Sequence, residues 1–211
     1  MKLIGMLDSP YVRRVAISLQ LLGLEFEHQS LSVFGQFAQF QEINPVVKAP
    51  TLLCDDGSVL MDSTLILEYA QTIAQPRTLM PTALAEFRHE IKIIGLALAA
   101  CEKAIQIVYE RGLRPPDKLH EPWVTRVTGQ LLAAFGALEK DLSRNSLAAT
   151  SASITQAGVS TAVAWYFTQQ MLPEIVSAAN HPNLVSFSAR AEVLPEFRAA
   201  PYGDGTYQPQ R

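Results

Sequence analysis

Two hydrophobic rhythms divide the chain. Over its first third, short apolar runs alternate with amphipathic stretches. Residues 2–7 alternate apolar and small side chains, as a half-buried strand does. Residues 10–22 place Val12, Val15, Ala16, Leu19 and Leu22 on one helical face, with Pro10 at the first helical position and Gly23 as the stop. A second strand is predicted over 25–31 and a short helix over 36–42. That helix must end before Asn44-Pro45, because the residue preceding a proline avoids helical backbone. Residues 51–54 and 58–61 flank Asp55-Asp56-Gly57 and read as a hairpin, and a third helix follows over 63–74. The order β-α-β-α-β-β-α predicts a mixed sheet flanked by helices.

Beyond a linker at 75–82, which contains Pro76 and Pro81, the rhythm becomes purely helical. Phe87, Ile91, Ile94, Leu98, Cys101, Ile105 and Val108 recur at intervals of four and three, forming one face of a long helix over 86–111. Leu96, Ala97, Ala100, Ala104 and Ile107 widen that stripe, so the helix is expected to be covered on two sides. Val124, Val127, Leu131, Ala134, Leu138 and Leu142 give the next helix a similar face. Residues 153–172 are apolar enough to form the centre of the second domain. Ser153-Ile154-Thr155-Gln156 reads as the capping box that opens that helix. The expected domains are α/β over 1–77 and all-helical over 85–205, with a tail at 206–211; the polar stretch 203–211 reads as disordered.

Composition narrows the possibilities. Apolar residues make up 48% of the chain and charged residues 18%, a balance that supports a well-buried globular protein. A net charge of −3 argues against nucleic acid or an anionic membrane as the main partner, since both require a basic surface. Cys54 and Cys101 lie far apart without metal-ligand spacing, which suits a reducing cytoplasm. His28, His89, His120 and His181 form no cluster with carboxylates or cysteines, so no metal site is expected. The N-terminus lacks the apolar core of a signal peptide. The apolar stretch at 93–101 is far shorter than the ~20 residues that span a bilayer.

The chemistry begins at Ser9-Pro10-Tyr11-Val12-Arg13-Arg14, directly after the first strand. Ser9 is a good N-cap, and the positive end of a helix can hold an anion or a thiolate. Arg13 and Arg14 offer charge for steering anions, with one of the two expected on the helix surface. Two further motifs follow, Asn44-Pro45-Val46-Val47-Lys48-Ala49-Pro50-Thr51-Leu52 and Met61-Asp62-Ser63-Thr64-Leu65-Ile66. Their order and spacing resemble the glutathione transferase superfamily. His181-Pro182-Asn183-Leu184 and Leu194-Pro195-Glu196-Phe197-Arg198 extend the resemblance to that family's last helices.

The resemblance implies a thioredoxin-like N-terminal domain, a helical-bundle C-terminal domain, and glutathione as co-substrate. Carried over, Ser9 donates a hydrogen bond to the bound thiolate, and Tyr11 is the alternative donor. A free thiol of pKa about 8.5 is mostly protonated at neutral pH, so such a donor raises the reactive fraction. Ala49-Pro50 corresponds to the family's cis-proline element, whose backbone pairs with the cysteinyl part of glutathione like an added strand. The family usually has Val where Ala49 stands, and Asp where Gln156 stands. Lys48 suits the glycyl carboxylate, Ser63 the γ-glutamyl carboxylate and Asp62 its ammonium group. The electrophile pocket maps to Leu7, Val33, Phe34, Tyr109 and Trp165, with Glu110 and Arg111 nearby.

The resemblance therefore implies a cytoplasmic, homodimeric glutathione transferase that acts on small, mostly apolar electrophiles. Ser9, standing where some members carry cysteine, argues against disulfide reduction. The rival readings are another glutathione-dependent enzyme (a peroxidase, isomerase or dehalogenase) or a non-catalytic binding protein.

Overall fold

The computed structural model describes residues 1–208. Its first unit comprises Met1–Met80 together with the segment from Val193 onward, and its second comprises Pro81–Glu192.

The first unit contains β1 (Lys2–Ile4), α1 (Pro10–Leu21), β2 (Glu27–Gln29), α2 (Phe37–Ile43), β3 (Thr51–Leu53), β4 (Val59–Met61) and α3 (Ser63–Ile73). The sheet order is β2-β1-β3-β4. β1 runs parallel to β2, with Leu3 opposite His28, and antiparallel to β3, with Leu3 opposite Leu52. β3 and β4 form the expected hairpin, with Leu52 opposite Leu60. This is the thioredoxin-like arrangement, and every predicted element is present.

The strands are shorter than their patterns suggested. β1 stops at Ile4 because Gly5 takes φ +134, a backbone state that L side chains rarely adopt. A Cβ on Gly5 would lie 2.6 Å from Val12 Cγ2 and 3.0 Å from the Ala49 Cβ, so the chain turns where α1 and the loop before β3 pack most closely. α1 ends as expected at Gly23, which takes φ +72. Ile4, Leu31 and Phe40 form a buried cluster, with Val33, Ile43, Val47 and Ala49 packed against it.

The C-terminal segment belongs to this first unit, whereas the sequence pattern grouped 193–205 with the helices. α8 (Pro195–Ala199) packs on α1. Arg13 Nε donates to the Ala200 carbonyl at 2.8 Å, and its guanidinium lies 5.7 Å from the Phe197 ring centre. Residues 203–208 are not a disordered tail. Ser30 Oγ donates to the Asp204 carbonyl at 2.8 Å, and the Gln208 N–H donates to the Ala199 carbonyl at 2.8 Å. Phe26 and Tyr207 stack with ring centres 4.5 Å apart. The remainder of the expected tail, 209–211, lies outside the described residues.

The second unit contains α4 (Leu84–Leu113), α5 (Glu121–Leu142), α6 (Gln156–Met171) and α7 (Pro182–Glu192). α6 is the expected centre: Gln156 through Trp165 is buried without interruption. Its cap differs from the predicted one. Thr155, not Ser153, is the N-cap and accepts from the Gly158 N–H at 3.4 Å, while Ser153 pairs with Thr150. The buried Glu90 of α4 supplies a second acceptor, taking the Ala157 N–H at 2.7 Å. Glu139 of α5 does the same for α7, accepting from the N–H groups of Asn183 and Leu184, each at 3.0 Å. Each carboxylate satisfies amides that a helix start would otherwise leave unpaired.

Candidate functional site

Three short segments of the first unit hold the candidate residues: the turn into α1, the loop before β3, and the start of α3. At the first, Ser9 caps α1 and accepts from the Val12 N–H at 3.4 Å, the long end of hydrogen-bonding distance. Capping uses the Ser9 oxygen only as an acceptor, so it does not engage the hydroxyl proton. Its oxygen serves the helix weakly, and its proton remains available to a ligand at the positive end of α1. Burial pushes the neighbouring Asp8 carboxyl above its usual range; the Ser9 backbone N–H opposes this, and the nearby Asp204 adds to it. Tyr11 is partly buried in the first turn of the same helix.

The loop before β3 is organised by Asn44, which is buried although the sequence marked it only as a helix stop. Its Nδ2 donates to Thr51 Oγ1 at 2.8 Å and its Oδ1 accepts from the Val46 N–H at 3.0 Å. Thr51 Oγ1 in turn donates to the Lys48 carbonyl at 2.7 Å. The Ala49–Pro50 peptide bond is cis. Val47 takes φ +52, an outlier for a β-branched residue, and Asp62 takes φ +75. Strained backbone of this kind persists where the surroundings over-determine it, and it clusters at ligand sites.

At α3, Asp62 Oδ1 accepts from the N–H groups of Thr64 at 2.9 Å and Leu65 at 3.5 Å. Its Oδ2 lies 3.5 Å from Lys48 Nζ, so a cation and a carboxylate from two of the motifs meet at the helix start. Ser63 is buried there, and Arg14 Nη1 donates to Ser63 Oγ at 3.0 Å and to Thr64 Oγ1 at 3.2 Å. Arg13 and Arg14 are both buried, which corrects the expectation that one lies on the helix surface.

The sequence profile of the glutathione S-transferase N-terminal domain matches residues 3–78, the stretch holding all three segments. Residues 3–78 thus form a glutathione S-transferase N-terminal domain. It is similar to the uncharacterized GST-like protein YibF of Escherichia coli, with 25% identity over 173 residues covering 82% of this chain and 85% of that one. It also aligns with a probable maleylacetoacetate isomerase of Caenorhabditis elegans at 27% identity, covering 58% of this chain and 51% of the relative. Among solved structures, a glutathione S-transferase from Methylobacterium radiotolerans in complex with glutathione sulfonate superposes with a TM-score of 0.87. The identity is 24%, over 96% of this chain and 95% of that one.

The residues assigned to the electrophile pocket do not behave as a set. Leu7 has no exposed surface, so its side chain offers no pocket wall. Trp165 is also buried, edge-on to Phe135 with ring centres 5.4 Å apart and 5.4 Å from the His181 ring. Both are core residues. Val33 packs on the first unit's core, while Phe34 is 56% exposed. Tyr109, on α4 of the second unit, is exposed. Glu110 is buried and accepts from Arg114 Nε at 2.6 Å and the His120 N–H at 3.2 Å. Burial alone would raise its carboxyl, but these donors outweigh it and hold it below the ordinary range. Arg111 pairs with Glu174 at 2.8 Å.

Burial pushes the Cys54 thiol up, so it is not a ready nucleophile. Among the described residues, no group of three or more His, Cys, Asp or Glu is placed to hold a metal ion. No described helix is long and apolar enough to cross a membrane.

Proposed function

We propose that the protein is a glutathione transferase that activates the glutathione thiol for attack on small, mostly apolar electrophiles. The observation that carries this reading is the Ser9 hydroxyl at the start of α1, bound to its own helix only by a 3.4 Å contact. A thiolate placed there accepts the Ser9 proton and lies at the positive end of the helix dipole. Each unit by which the thiol pKa falls corresponds to about 1.4 kcal/mol of selective stabilisation of the anion. Ser9 acts as a donor and forms no covalent intermediate. Tyr11, in the same turn, is the alternative donor.

The binding half of the reading rests on the other two segments. Ser63, at the start of α3, suits the γ-glutamyl carboxylate. Asp62 suits the ammonium group, Lys48 the glycyl carboxylate, and the Ala49 backbone before Pro50 the cysteinyl amide and carbonyl. Within the first unit, Phe34 is the residue we retain for contact with the electrophile. We place the protein in the cytoplasm.

We also propose a homodimer. α3 exposes Leu65, Tyr69 and Ile73, and the first turns of α4 expose Leu84, Phe87 and Ile91. Each face is an exposed, largely apolar stripe of the kind subunit contacts cover.

The test is glutathione-dependent turnover of a panel: conjugation of an aryl chloride, an epoxide and an enal, reduction of an organic hydroperoxide with two glutathiones oxidised to the disulfide, and isomerisation of a maleyl acid. Turnover of the first three supports the transferase reading. Turnover of the maleyl acid alone favours an isomerase, the alternative suggested by the maleylacetoacetate isomerase relative. Glutathione binding with no turnover of any compound favours a non-catalytic protein.

A further inference from the structure

The turn that carries Ser9 is held on both flanks by the far end of the chain. β1 stops at Ile4, and the turn that follows is closed by the Ser9 N–H on the Met6 carbonyl at 3.2 Å. On the β1 side, His28 Nε2 donates to the Gly5 carbonyl at 2.7 Å, since a carbonyl only accepts. That leaves Nδ1 of the same ring bare, and it takes the Tyr207 N–H at 3.0 Å. On the α1 side, Arg13 Nε donates to the Ala200 carbonyl at 2.8 Å. Between these points Ser30 Oγ donates to the Asp204 carbonyl at 2.8 Å, and Phe26 stacks on Tyr207. Residues 200–207 thus reach Arg13 directly and Gly5 through one imidazole. Gly5, at φ +134, has no side chain to restrict its backbone, so the direction of its carbonyl depends on what binds it.

We propose that His28 is a positioning residue for Ser9, and that the docked segment 200–207 is the support it works from. The imidazole is a brace with two ends: Tyr207 fixes the ring, and the ring fixes the Gly5 carbonyl at the entry to the turn. Neither residue meets the thiol. Their effect is on where the Ser9 oxygen stands, and a hydrogen bond weakens steeply as its donor moves out of line. The residues assigned to the ends of glutathione, Lys48, Asp62 and Ser63, belong to other segments, so the brace bears on ionisation of the thiol more than on affinity. The inference rests on the glutathione reading above and adds a dependence of thiol acidity on the C-terminal segment. The polar stretch from 203 onward, which reads as a loose tail in the sequence, becomes a working part of the first unit.

The experiment measures, in variants of the full chain, the glutathione Kd by isothermal titration and the bound-thiol pKa by thiolate absorbance. His28→Phe keeps a ring and removes both hydrogen bonds. The bound-thiol pKa should rise by about half a unit or more, roughly a two- to threefold loss of thiolate at neutral pH, while Kd stays within about threefold. His28→Gln, whose amide donates through nitrogen and accepts through oxygen, should hold the thiol near its wild-type value. Tyr207→Pro removes the backbone donor and Tyr207→Ala keeps it, so this pair repeats the test without touching His28 should His28→Phe fold poorly. The Pro variant should raise the thiol pKa more than the Ala variant. A lowered thiol pKa in wild type that survives unchanged in His28→Phe and Tyr207→Pro overturns the inference and leaves the glutathione reading standing. So does a His28→Gln no better than His28→Phe, with affinity and thiol acidity lost together, because a merely structural ring predicts that result. Wild type that does not bind glutathione, or binds it without lowering the thiol pKa, overturns the thiol-activation reading itself, and this inference with it.

Discussion

His28 accepts, through Nδ1, the backbone N–H of Tyr207 at 3.0 Å. Its other ring nitrogen lies 2.7 Å from the Gly5 carbonyl. A carbonyl only accepts, so Nε2 carries the proton and Nδ1 is bare: the ring is neutral in this arrangement. Burial lowers the His28 pKa from its ordinary 6.5, and the Gly5 carbonyl opposes that only in part. The unfolded or undocked chain thus binds this proton at a higher pH than the native one does, and docking is favoured more as pH rises. The contribution is fully present above the native value and the ordinary 6.5, and it is lost as pH falls below 6.5 through the native value. The acids nearest this contact are Asp204, on the docked segment, and Asp8, on the turn beside it, whose carboxyl burial pushes up.

The expected outcome is loosening of the C-terminal segment between pH 7.5 and 5. Hydrogen exchange at the Tyr207 amide, corrected for the intrinsic pH dependence of exchange, should lose protection in that interval. His28→Gln should remove the pH dependence. Equal corrected protection at both pH values in the wild type contradicts the assignment.

Gly5→Ala tests the close approach of β1, α1 and the loop before β3. The added carbon would meet Val12 at 2.6 Å and the Ala49 side chain at 3.0 Å, on a backbone at φ +134. Overpacking and an unfavourable backbone state together should destabilise the protein by about 2–4 kcal/mol, read by urea unfolding. Because Ala49 must move, glutathione affinity should fall as well. A variant of wild-type stability would show that this turn has slack that the contact distances deny.

Glu90→Ala tests the remote cap of α6. The substitution leaves the buried Ala157 N–H without its 2.7 Å acceptor. An unsatisfied buried donor costs about 1–3 kcal/mol, and urea unfolding should show a loss of that size. Glu90→Gln, which keeps an acceptor oxygen, should recover part of it. A loss below a few tenths of a kcal/mol would mean that Thr155 alone caps the helix.

The elements that could be read from sequence are those fixed by local chemistry. Pro10 and Gly23 bracket α1, Asp55-Asp56-Gly57 turns the hairpin, and intervals of three and four mark α4 and α5. Contacts between residues distant in sequence could not be read this way. Nothing near Arg13 indicates that its guanidinium meets Ala200, and nothing near Gln156 indicates that Glu90 serves the same helix start. Ser153 and Thr155 are equally good caps by composition, and only the path of the chain selects Thr155. At the candidate site, the motifs point to Lys48, Asp62 and Ser63, whereas the sequence offers Arg13 and Arg14 only as charge for steering anions or for the helix surface, because the partners of Arg14 lie on α3. Leu7 and Trp165 follow from where the resemblance places the electrophile site in the fold, a criterion that does not distinguish a pocket wall from the core behind it.

The central claim is that Ser9 lowers the thiol pKa of bound glutathione, and it is tested most directly by titrating thiolate absorbance in the complex. The free thiol value is about 8.5, and wild type should hold the bound thiol roughly one to two units lower. Ser9→Ala should bind glutathione but lose that shift, and its conjugation rate at neutral pH should fall about tenfold or more as the thiolate fraction drops. Tyr11→Phe is the comparison. A bound thiol that titrates at the free value in wild type, or a shift that survives in Ser9→Ala and disappears in Tyr11→Phe, contradicts the account.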